Sequence, residues 1–366
     1  MTQSGPTLPE TMQAVVVHGP KDYRLETLPV PTRGPGELML RVEAVGICAS
    51  DLKCWHGAAK FWGDDSRPAW TETDVVPGHE ITGRVIDLDD EAREHWGVEL
   101  DDRVVLEQIV PCWDCKYCNE GNYHMCAPHD MYGFKRANPG GMEEYMVVST
   151  NSLVHKISKD IPPAHAAFAE PLSCALHAIE RANLQFKDVV VIAGAGPIGL
   201  SMIAGAAAKS PAQIIALDMD ERKLEIAKKT GATRTINIAK EDALAIVREM
   251  TDGYGCDVYI EGTGHPSAVI QGLNMLRKLG TFVEYSVFKE DVAVDWSIIS
   301  DDKELNVLGA HLGQNTWPRA IRLIEEGRLP LEEICTHQLP LSEFQKGLDM
   351  VASGKESIKV SLIPGQ

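Results

Sequence analysis

One segment, Val189 to Asp218, constrains the fold of this chain more than any other. It begins with an apolar run of β-branched residues and continues through a turn that contains Gly194, Gly196 and Gly199. A helical run of small residues follows, and a second apolar run ends at Asp218. This order predicts a strand, a turn, a helix and a second strand, which is the unit that builds a doubly wound parallel sheet.

The glycines of this turn have separate tasks if the turn binds a dinucleotide. Gly194 permits the tight turn, Gly196 lets the backbone approach a pyrophosphate, and Gly199 lets the helix pack on the strand. The helix N-terminus then presents free N–H groups to the phosphates. Asp218 falls where an acid bonds the adenosine ribose and would repel a 2′-phosphate, so the sequence predicts NAD rather than NADP. The predicted cofactor-binding set also includes Pro197, Ile198 and Lys223.

Two other interpretations of this segment must be weighed. Residues 189–208 carry no charge, which is typical of a membrane-spanning helix. Three glycines and Pro197 within one turn disfavour such a span. A glycine-rich turn without a ligand is the second alternative, and the complete pattern from strand to Asp218 disfavours it.

Length and charge limit the class of protein further. With 366 residues the chain is long enough for two domains, each with its own core. The formal net charge of −18 argues against a nucleic-acid binder, which needs a basic face. The N-terminal sequence MTQSGPTLPETMQ has no basic or apolar export signal, so a cytoplasmic protein with no membrane partner is expected. In that compartment the nine cysteines should be thiols or metal ligands.

The order of apolar runs indicates two domains. Short runs separated by proline and glycine before Ser149 predict a β-rich domain. From Val189 to about Tyr285, predicted strands alternate with helices, which predicts a parallel sheet. The predicted fold class is therefore α/β, a doubly wound parallel sheet beside a β-rich domain. The predicted boundaries are 1–165 for the β-rich domain, 166–306 for the nucleotide-binding domain and 307–366 for a return to the first domain.

Four residues spread along the chain could form an open metal site. Zinc takes cysteine sulfur, histidine nitrogen and carboxylate oxygen, and a catalytic zinc keeps one position free. Cys48, His79 and a carboxylate from Glu80 or Glu170 would supply such a site, with Asp51 orienting the imidazole of His79. Taken singly, a buried thiol and an exposed His-Glu pair are the commoner interpretations of these residues.

Four further cysteines lie within one short loop. Cys112, Cys115, Cys118 and Cys126 have the spacing C-x2-C-x2-C-x7-C. Four thiolates fill all tetrahedral positions, so this pattern predicts a structural zinc. A redox pair of cysteines and an iron–sulfur cluster are the alternatives. We expect His124 in this loop to be exposed to solvent rather than to bind the metal.

These motifs, taken together and in order, resemble the zinc-dependent medium-chain alcohol dehydrogenases. The motifs are GICASD at 46–51, GHE at 78–80, the four-cysteine loop, AEPL at 169–172 and GAGPIG at 194–199. The resemblance implies a GroES-like catalytic domain that carries a structural zinc loop and is interrupted by a Rossmann domain, with the active site in the cleft between them. It also implies NAD, one catalytic and one structural zinc, and a homodimer or homotetramer.

A glutamate at position 170 resembles the polyol branch of this family, where simple alcohol dehydrogenases have a cysteine ligand. The likeness is strongest to bacterial dehydrogenases of four-carbon polyols, which implies oxidation of erythritol or L-threitol to a ketose. Sorbitol, xylitol, arabinitol and L-threonine are the alternative substrates. Ser50 is the predicted proton acceptor, and its other interpretation is a helix-capping residue. Many relatives have a histidine where this chain has Lys53, so the rest of the proton route could involve Lys53.

The segment between Cys48 and His79 is long and aromatic. It contains Trp55, Phe61, Trp62 and Trp70, which could cover the substrate or contact another subunit, or simply anchor the loop. Two other functions stay open from the sequence: a zinc-stabilised nucleotide-binding protein without catalytic activity, and a zinc-knuckle nucleic-acid binder, which the acidic charge disfavours.

Overall fold

The computed structural model describes residues 8–366. The strands are β1 (Thr11–Gly19), β2 (Asp22–Pro29), β3 (Leu38–Gly46), β4 (Glu80–Leu88), β5 (Arg103–Leu106), β6 (Tyr145–Val148), β7 (Val154–Lys156), β8 (Val189–Ala193), β9 (Gln213–Asp218), β10 (Arg234–Asn237), β11 (Cys256–Glu261), β12 (Leu276–Glu284), β13 (Asn306–Gly309), β14 (His337–Pro340) and β15 (Val360–Ile363).

The α-helices alternate with these strands in the middle of the chain. They are α1 (Ala49–Trp55), α2 (Ala59–Trp62), α3 (Asp90–Trp96), α4 (Lys116–Asn119), α5 (Pro163–Ala167), α6 (Ala169–Ala182), α7 (Pro197–Lys209), α8 (Glu221–Thr230), α9 (Ala243–Met250), α10 (Pro266–Met275), α11 (Trp317–Glu325), α12 (Leu331–Ile334) and α13 (Phe344–Ser353).

The described chain forms two compact units. Unit 1 consists of residues 8–170, Trp317–Glu325 and Cys335–Gln366. Unit 2 consists of Pro171–Thr316 and Glu326–Ile334. Unit 1 is therefore built from both ends of the chain, and unit 2 is inserted into it.

These breaks differ from the predicted boundaries at 165/166 and 306/307. The first break lies inside α6, after Glu170. The second comes later than predicted because β13 pairs with β12 as part of the unit 2 sheet. An apolar run such as that of β13 fits either sheet, so composition alone could not assign it.

Unit 1 is organised around a seven-stranded sheet. The strands run in the order β14-β15-β3-β4-β5-β7, and β6 also pairs with β3. A separate antiparallel pair joins β1 and β2. The alternating apolar side chains of these strands meet in one core that includes Leu40, Val45, Ile81 and Leu362. The pairing of β15 with β3 brings the C-terminal strand beside the residues that precede Cys48.

Unit 2 contains a six-stranded parallel sheet in the order β10-β9-β8-β11-β12-β13. Numbered along this unit, the order is 3-2-1-4-5-6, the order of a doubly wound dinucleotide-binding sheet. The core comprises apolar residues such as Val191, Ile215, Tyr259 and Phe282. The predicted α/β class, with a Rossmann sheet and a β-rich domain, is confirmed.

Residues 189–208, for which a membrane-spanning helix was the alternative interpretation, do not form one continuous helix. That segment is divided between β8, the glycine turn and α7. Within residues 8–366, none of the helices has the length and apolar character that crossing a bilayer requires.

Candidate active site and metal centres

The residues of the first predicted metal site lie where β3 ends and β4 begins. β3 ends at Gly46, β4 begins at Glu80, and these two residues are register partners in an antiparallel pair. Cys48, which follows β3, therefore lies beside His79, which precedes β4. The donor atoms of Cys48, His79 and Glu80 all lie within 4.8 Å of one another.

Asp51 contacts two members of this group, Cys48 and His79. It is buried, and one carboxylate oxygen accepts the backbone N–H of Cys48 at 2.8 Å. Its other oxygen lies 3.3 Å from Nδ1 of His79, close enough for an ion pair but poorly aligned for a hydrogen bond. Burial disfavours a charged imidazole, but Asp51 and Cys48 outweigh burial and raise the pKa of His79 well above its usual value. Because Nδ1 faces Asp51, Nε2 is the nitrogen that remains for a metal.

The hydroxyl of Ser50 lies beside that nitrogen. Its Oγ is 3.4 Å from Nε2 of His79, and the residue is half-buried in the first turn of α1. A hydroxyl both donates and accepts, so Ser50 has the position and the chemistry of a proton carrier. Lys53, also half-buried, lies in the last turn of the same helix. A route from Ser50 through Lys53 stays a prediction.

Glu80 is paired with a buried lysine that the sequence analysis missed. Glu80 is 1% exposed and Lys359 is 4% exposed. Nζ of Lys359 contacts both carboxylate oxygens of Glu80 and also donates to the carbonyl of Ile47 at 3.0 Å. Gly46 makes room for the pair, because a Cβ at this position would overlap Oε2 of Glu80.

The charge of Lys359 is maintained by its neighbours. Burial disfavours the charged amine, but Glu80 and Cys48 outweigh burial and raise the pKa of Lys359 above its usual value. The sequence carries one faint signal of this role. Lys359 is the only charged residue of the run from Ile358 to Ile363, but apolar and polar residues alternate from Ile358 to Leu362, so the pattern by itself predicts a lysine on the solvent face of a strand.

Glu170, the other predicted carboxylate ligand, lies in the first turn of α6. It is 5% exposed, and its charge also contributes to the raised pKa of Lys359. The cluster of close donor atoms contains Glu80 and not Glu170. However, Glu80 already binds Lys359, so it would have to share its carboxylate with a metal. The choice between the two carboxylates stays a prediction.

The chemistry of this donor set fits zinc. Thiolate sulfur, imidazole nitrogen and carboxylate oxygen are zinc ligands, and three protein ligands leave a fourth position free. Asp51 contacts both the backbone of Cys48 and the imidazole of His79. It therefore lies where a residue that does not bind the metal itself would orient these two ligands.

Aromatic side chains of the segment between Cys48 and His79 pack around Phe134, a residue outside that segment that lies beside the imidazole. Phe134 lies 5.5 Å from the His79 ring, centre to centre, and packs against Phe61 and Trp70. Trp62 is fixed differently, by donating its indole N–H to the carbonyl of Cys54 at 2.7 Å. The segment therefore anchors its loop and packs against Phe134, which is the ring beside the imidazole.

The four-cysteine loop is organised for a second metal. The sulfur atoms of Cys112, Cys115, Cys118 and Cys126 all lie within 4.8 Å of one another. Backbone N–H groups donate to three of these sulfurs, at distances from 3.2 to 3.4 Å. The N–H of Ala127 is the main cause that lowers the pKa of Cys115 to about 6. N–H donors of this kind stabilise thiolates, the form that binds zinc.

The expectation that His124 is exposed is wrong. The residue is 8% exposed and lies in the short 3-10 helix Tyr123–Met125, where its ring contacts that of Tyr123 edge-on. Among the described residues, the group that could hold this metal comprises the four cysteines without His124. The loop folds back on itself around the sulfurs and encloses His124, although neighbours such as Lys116 and Glu120 are exposed, so the sequence position of His124 does not reveal its burial.

Replacing Cys115 with Ser is expected to remove one of two zinc ions and to lower the melting temperature by several degrees. The remaining three thiolates cannot complete the tetrahedral shell that holds the loop. Zinc content by elemental analysis and thermal unfolding measure the two effects. Cys335→Ser, at a buried cysteine outside both groups, is the matched control. An unchanged melting temperature together with full zinc content would contradict a structural role.

The glycine turn of unit 2 has the geometry that dinucleotide binding requires. Gly194 has a φ of 94°, a conformation that favours glycine. A Cβ at Gly199 would collide with the carbonyl of Gly194, so α7 can approach β8 this closely only without a side chain. At Gly196, the N-cap of α7, the space that a side chain would occupy is open. Open space before a helix N-terminus is where a pyrophosphate would bind.

Asp218 closes this turn from the end of β9. One carboxylate oxygen accepts the N–H of Ala195 at 2.7 Å. The other accepts the N–H groups of Met219 at 2.7 Å and Asp220 at 3.0 Å. Asp218 is half-buried, so its carboxylate both shapes the turn and faces solvent. Three other predicted cofactor-binding residues are half-buried beside the same edge. Pro197 and Ile198 lie in the first turn of α7, and Lys223 lies in the first turn of α8.

Replacing Asp218 with Ala is expected to raise the KM for NAD by about tenfold or more and to reduce discrimination against NADP. The change removes a ribose partner and the repulsion of a 2′-phosphate. Steady-state kinetics with both cofactors measure the effect. Asp220→Asn, which retains a helix-capping side chain next to this site, is the control. Unchanged kinetics with NAD would place the ribose elsewhere.

Comparisons with known proteins agree with these observations. The family model "Zinc-binding dehydrogenase" matches residues 197–326, and "Alcohol dehydrogenase GroES-like domain" matches residues 34–159. Erythritol/L-threitol dehydrogenase from Mycolicibacterium smegmatis is 70% identical over 98% of this chain and 99% of its own. L-threonine 3-dehydrogenase from Bacillus velezensis is 34% identical over 93% and 95%. The crystal structure of 2R,3R-butanediol dehydrogenase from Bacillus subtilis matches with a TM-score of 0.83 and 27% identity, over 97% and 100%.

Proposed function

Because the chain belongs to the zinc-dependent medium-chain alcohol dehydrogenases, we propose that it oxidises erythritol or L-threitol to a ketose of the erythrulose type, with NAD+ as hydride acceptor. The observation that carries this proposal is the group of Cys48, His79 and Glu80, whose donor atoms lie within 4.8 Å of one another. The M. smegmatis relative, similar over nearly the whole chain, supports a four-carbon polyol as substrate.

The residues around the metal group would have different roles in alcohol oxidation. Cys48, His79 and a carboxylate from Glu80 or Glu170 would hold the zinc, which as a Lewis acid would favour loss of the hydroxyl proton. Asp51, 3.3 Å from Nδ1 of the imidazole, would keep the ring turned so that Nε2 is the nitrogen that binds the metal. Ser50 Oγ, 3.4 Å from that nitrogen, would accept the proton of the substrate hydroxyl while giving its own proton onward, towards the cofactor ribose and Lys53.

Unit 2 would bind NAD+, the hydride acceptor. The glycine turn would bind the pyrophosphate, and Asp218 would bond the ribose hydroxyls. Its carboxylate, half-buried at the end of β9, supports NAD rather than NADP. The nicotinamide carries the hydride chemistry, while the protein fixes its orientation.

The test is NADH formation with a panel of alcohols, before and after chelation of zinc. Erythritol and L-threitol are expected to reduce NAD+ fastest, and chelation is expected to abolish the reaction. D-threitol, xylitol, sorbitol, arabinitol, L-threonine and ethanol are the comparison substrates. Turnover confined to L-threonine would favour the function that the name of the B. velezensis relative indicates. A protein that holds zinc and NAD but oxidises none of them would be a non-catalytic member of the family.

A homodimer or homotetramer in the cytoplasm is part of this proposal. The resemblance to family members supports the oligomer, and β13 is the last strand at its side of the described unit 2 sheet, where another chain could pair. Size-exclusion chromatography with light scattering measures the oligomeric state. The proposal includes no nucleic-acid or membrane partner.

A further inference from the structure

Two glutamates lie side by side at the carboxyl edge of the parallel sheet in unit 2. Glu261 ends β11, Glu284 ends β12, and the two are register partners. Two residues earlier in each strand, Tyr259 and Phe282 are also partners, and their rings stack at 5.6 Å. Residues two apart in a strand share a face, so both glutamates lie on the face where these rings meet.

The helix α10 covers that face. The hydroxyl of Tyr259 donates to the carbonyl of Ala268 in α10 at 2.9 Å. Gly272 of the same helix lies so close that a Cβ would collide with the rings of Tyr259 and Phe282. The two glutamates therefore lie just beyond a tightly packed layer, at the edge of the sheet where ligands of doubly wound folds bind.

The two carboxyl groups are held differently. Glu261 is fully buried and accepts the N–H of Thr263 at 2.7 Å, the hydroxyl of Thr263 at 2.5 Å and the N–H of Gly264 at 3.1 Å. Glu284 is half-buried and accepts the N–H of Ser286 at 2.5 Å. Burial, and next the charge of Glu261, raise the pKa of Glu284 to about 8.

Within residues 8–366, the elements that pack most extensively against β12 carry no lysine or arginine to offset this pair. They are β11, β13 and α10. The charged residues of β11 are Glu261 and, at the opposite end, Asp257, which pairs with Arg277. β13 and α10 contain no charged residue. The carboxyl edge of β11 and β12 is therefore a site where a positive ligand group would be stabilised.

The topology indicates which part of a dinucleotide meets this edge. The first half of the sheet, β8 to β10, carries the glycine turn and Asp218, which mark the adenosine side. The second half, β11 to β13, is then the nicotinamide side. The nicotinamide ring carries a positive charge in NAD+ and none in NADH.

We propose that Glu284, with Glu261 beside it, makes the nicotinamide half of the site favour the oxidised cofactor by charge attraction. This inference rests on the proposed function, because it requires a nicotinamide dinucleotide on this sheet. Glu284 is a positioning residue that acts through the bound cofactor. Weaker retention of NADH than of NAD+ would favour the direction of polyol oxidation.

The proton balance gives this proposal a pH signature. In the free protein, the Glu284 carboxyl keeps its proton below pH about 8. Binding of NAD+ favours the carboxylate, so the O–H bond of the carboxyl breaks and the proton leaves to solvent. Affinity for NAD+ therefore rises as pH increases towards 8 and then levels off. Binding of NADH leaves the proton in place and has no such step.

Glu284→Gln tests the charge while retaining an acceptor for the N–H of Ser286. We expect the ratio of the NAD+ Kd to the NADH Kd to rise on the order of tenfold at pH 9, with the NADH Kd unchanged. The pH step in NAD+ affinity should also disappear. NADH fluorescence gives the NADH Kd directly, and displacement of NADH gives the Kd of NAD+. Glu290→Gln, the same charge change at an exposed residue, is the control.

Three outcomes decide the matter. A ratio equal to that of the control would overturn the proposal. Equal weakening of both cofactors would also overturn it, since Glu284 would then only shape the turn at Ser286. Failure of the unmodified protein to bind either cofactor would instead contradict the proposed function itself.

Discussion

Replacing Cys48 with Ser is expected to lower kcat/KM for the polyol by at least about a thousandfold, more than the 10- to 100-fold typical of residues that only orient metal ligands. The thiolate is one of three close donors, and a serine hydroxyl is a poor zinc ligand near neutral pH. The fold should persist, because Cys48 is half-buried at the start of α1 and Asp51 bonds its backbone. Kinetics, zinc content and thermal unfolding together measure this result.

The control for this experiment is Cys335→Ser. Cys335 is buried in the same unit, and its thiol points to the carbonyl of Ala164, which a serine hydroxyl can also reach. This variant should retain two zinc ions and full activity. If Cys48→Ser kept more than a few per cent of the wild-type activity, Cys48 would not be a ligand of the catalytic metal.

Replacing Lys359 with Met is expected to destabilise the protein by about 3 to 5 kcal/mol, the usual cost of leaving one member of a buried ion pair without its partner. Methionine fills a similar volume, so the lost stability would come from the unpaired charge of Glu80 and from the carbonyl of Ile47, which loses its hydrogen bond from Lys359. Urea unfolding followed by tryptophan fluorescence measures the change. Adding Glu80→Gln to the same chain should recover part of it, because the stranded carboxylate is then neutral.

Lys346→Met provides the comparison. Lys346 and Glu343 form an ion pair of similar length, but both side chains are largely exposed. Exposed pairs contribute about 0 to 1 kcal/mol, so this variant should unfold almost like the wild type. Equal effects of the two lysine substitutions would show that the pair of Glu80 and Lys359 does not carry the stability assigned to it.

Local patterns made the two-domain α/β class and the glycine turn predictable. The glycine turn and the four cysteines are each contained in one short segment, so spacing alone defined their geometry. Cys48 and His79 are 31 positions apart, and only the β3–β4 pairing shows that they meet. The family resemblance, which rests on motif order, bridged that distance.

The missed residues share a physical reason. Lys359 lies 279 positions from Glu80, and Glu284 faces Glu261 across two parallel strands. In a single sequence each is an ordinary charged residue, and only register or tertiary pairing gives it a partner. His124 was misjudged because burial within a folded loop depends on the path of the backbone around the sulfurs.

The interleaving of the two units has a consequence for how the protein is made. Unit 1 is completed by β15, which pairs with β3 and follows Lys359, so it needs residues that are synthesised after the whole of unit 2. The inserted unit 2 and the four-cysteine loop are finished well before that point, since each is continuous or nearly so. Domains fold as they emerge, so the cysteine loop can take its zinc during translation. The group at Cys48 gains Lys359 beside Glu80 only after unit 2 has been synthesised, so we expect the structural zinc to be bound first.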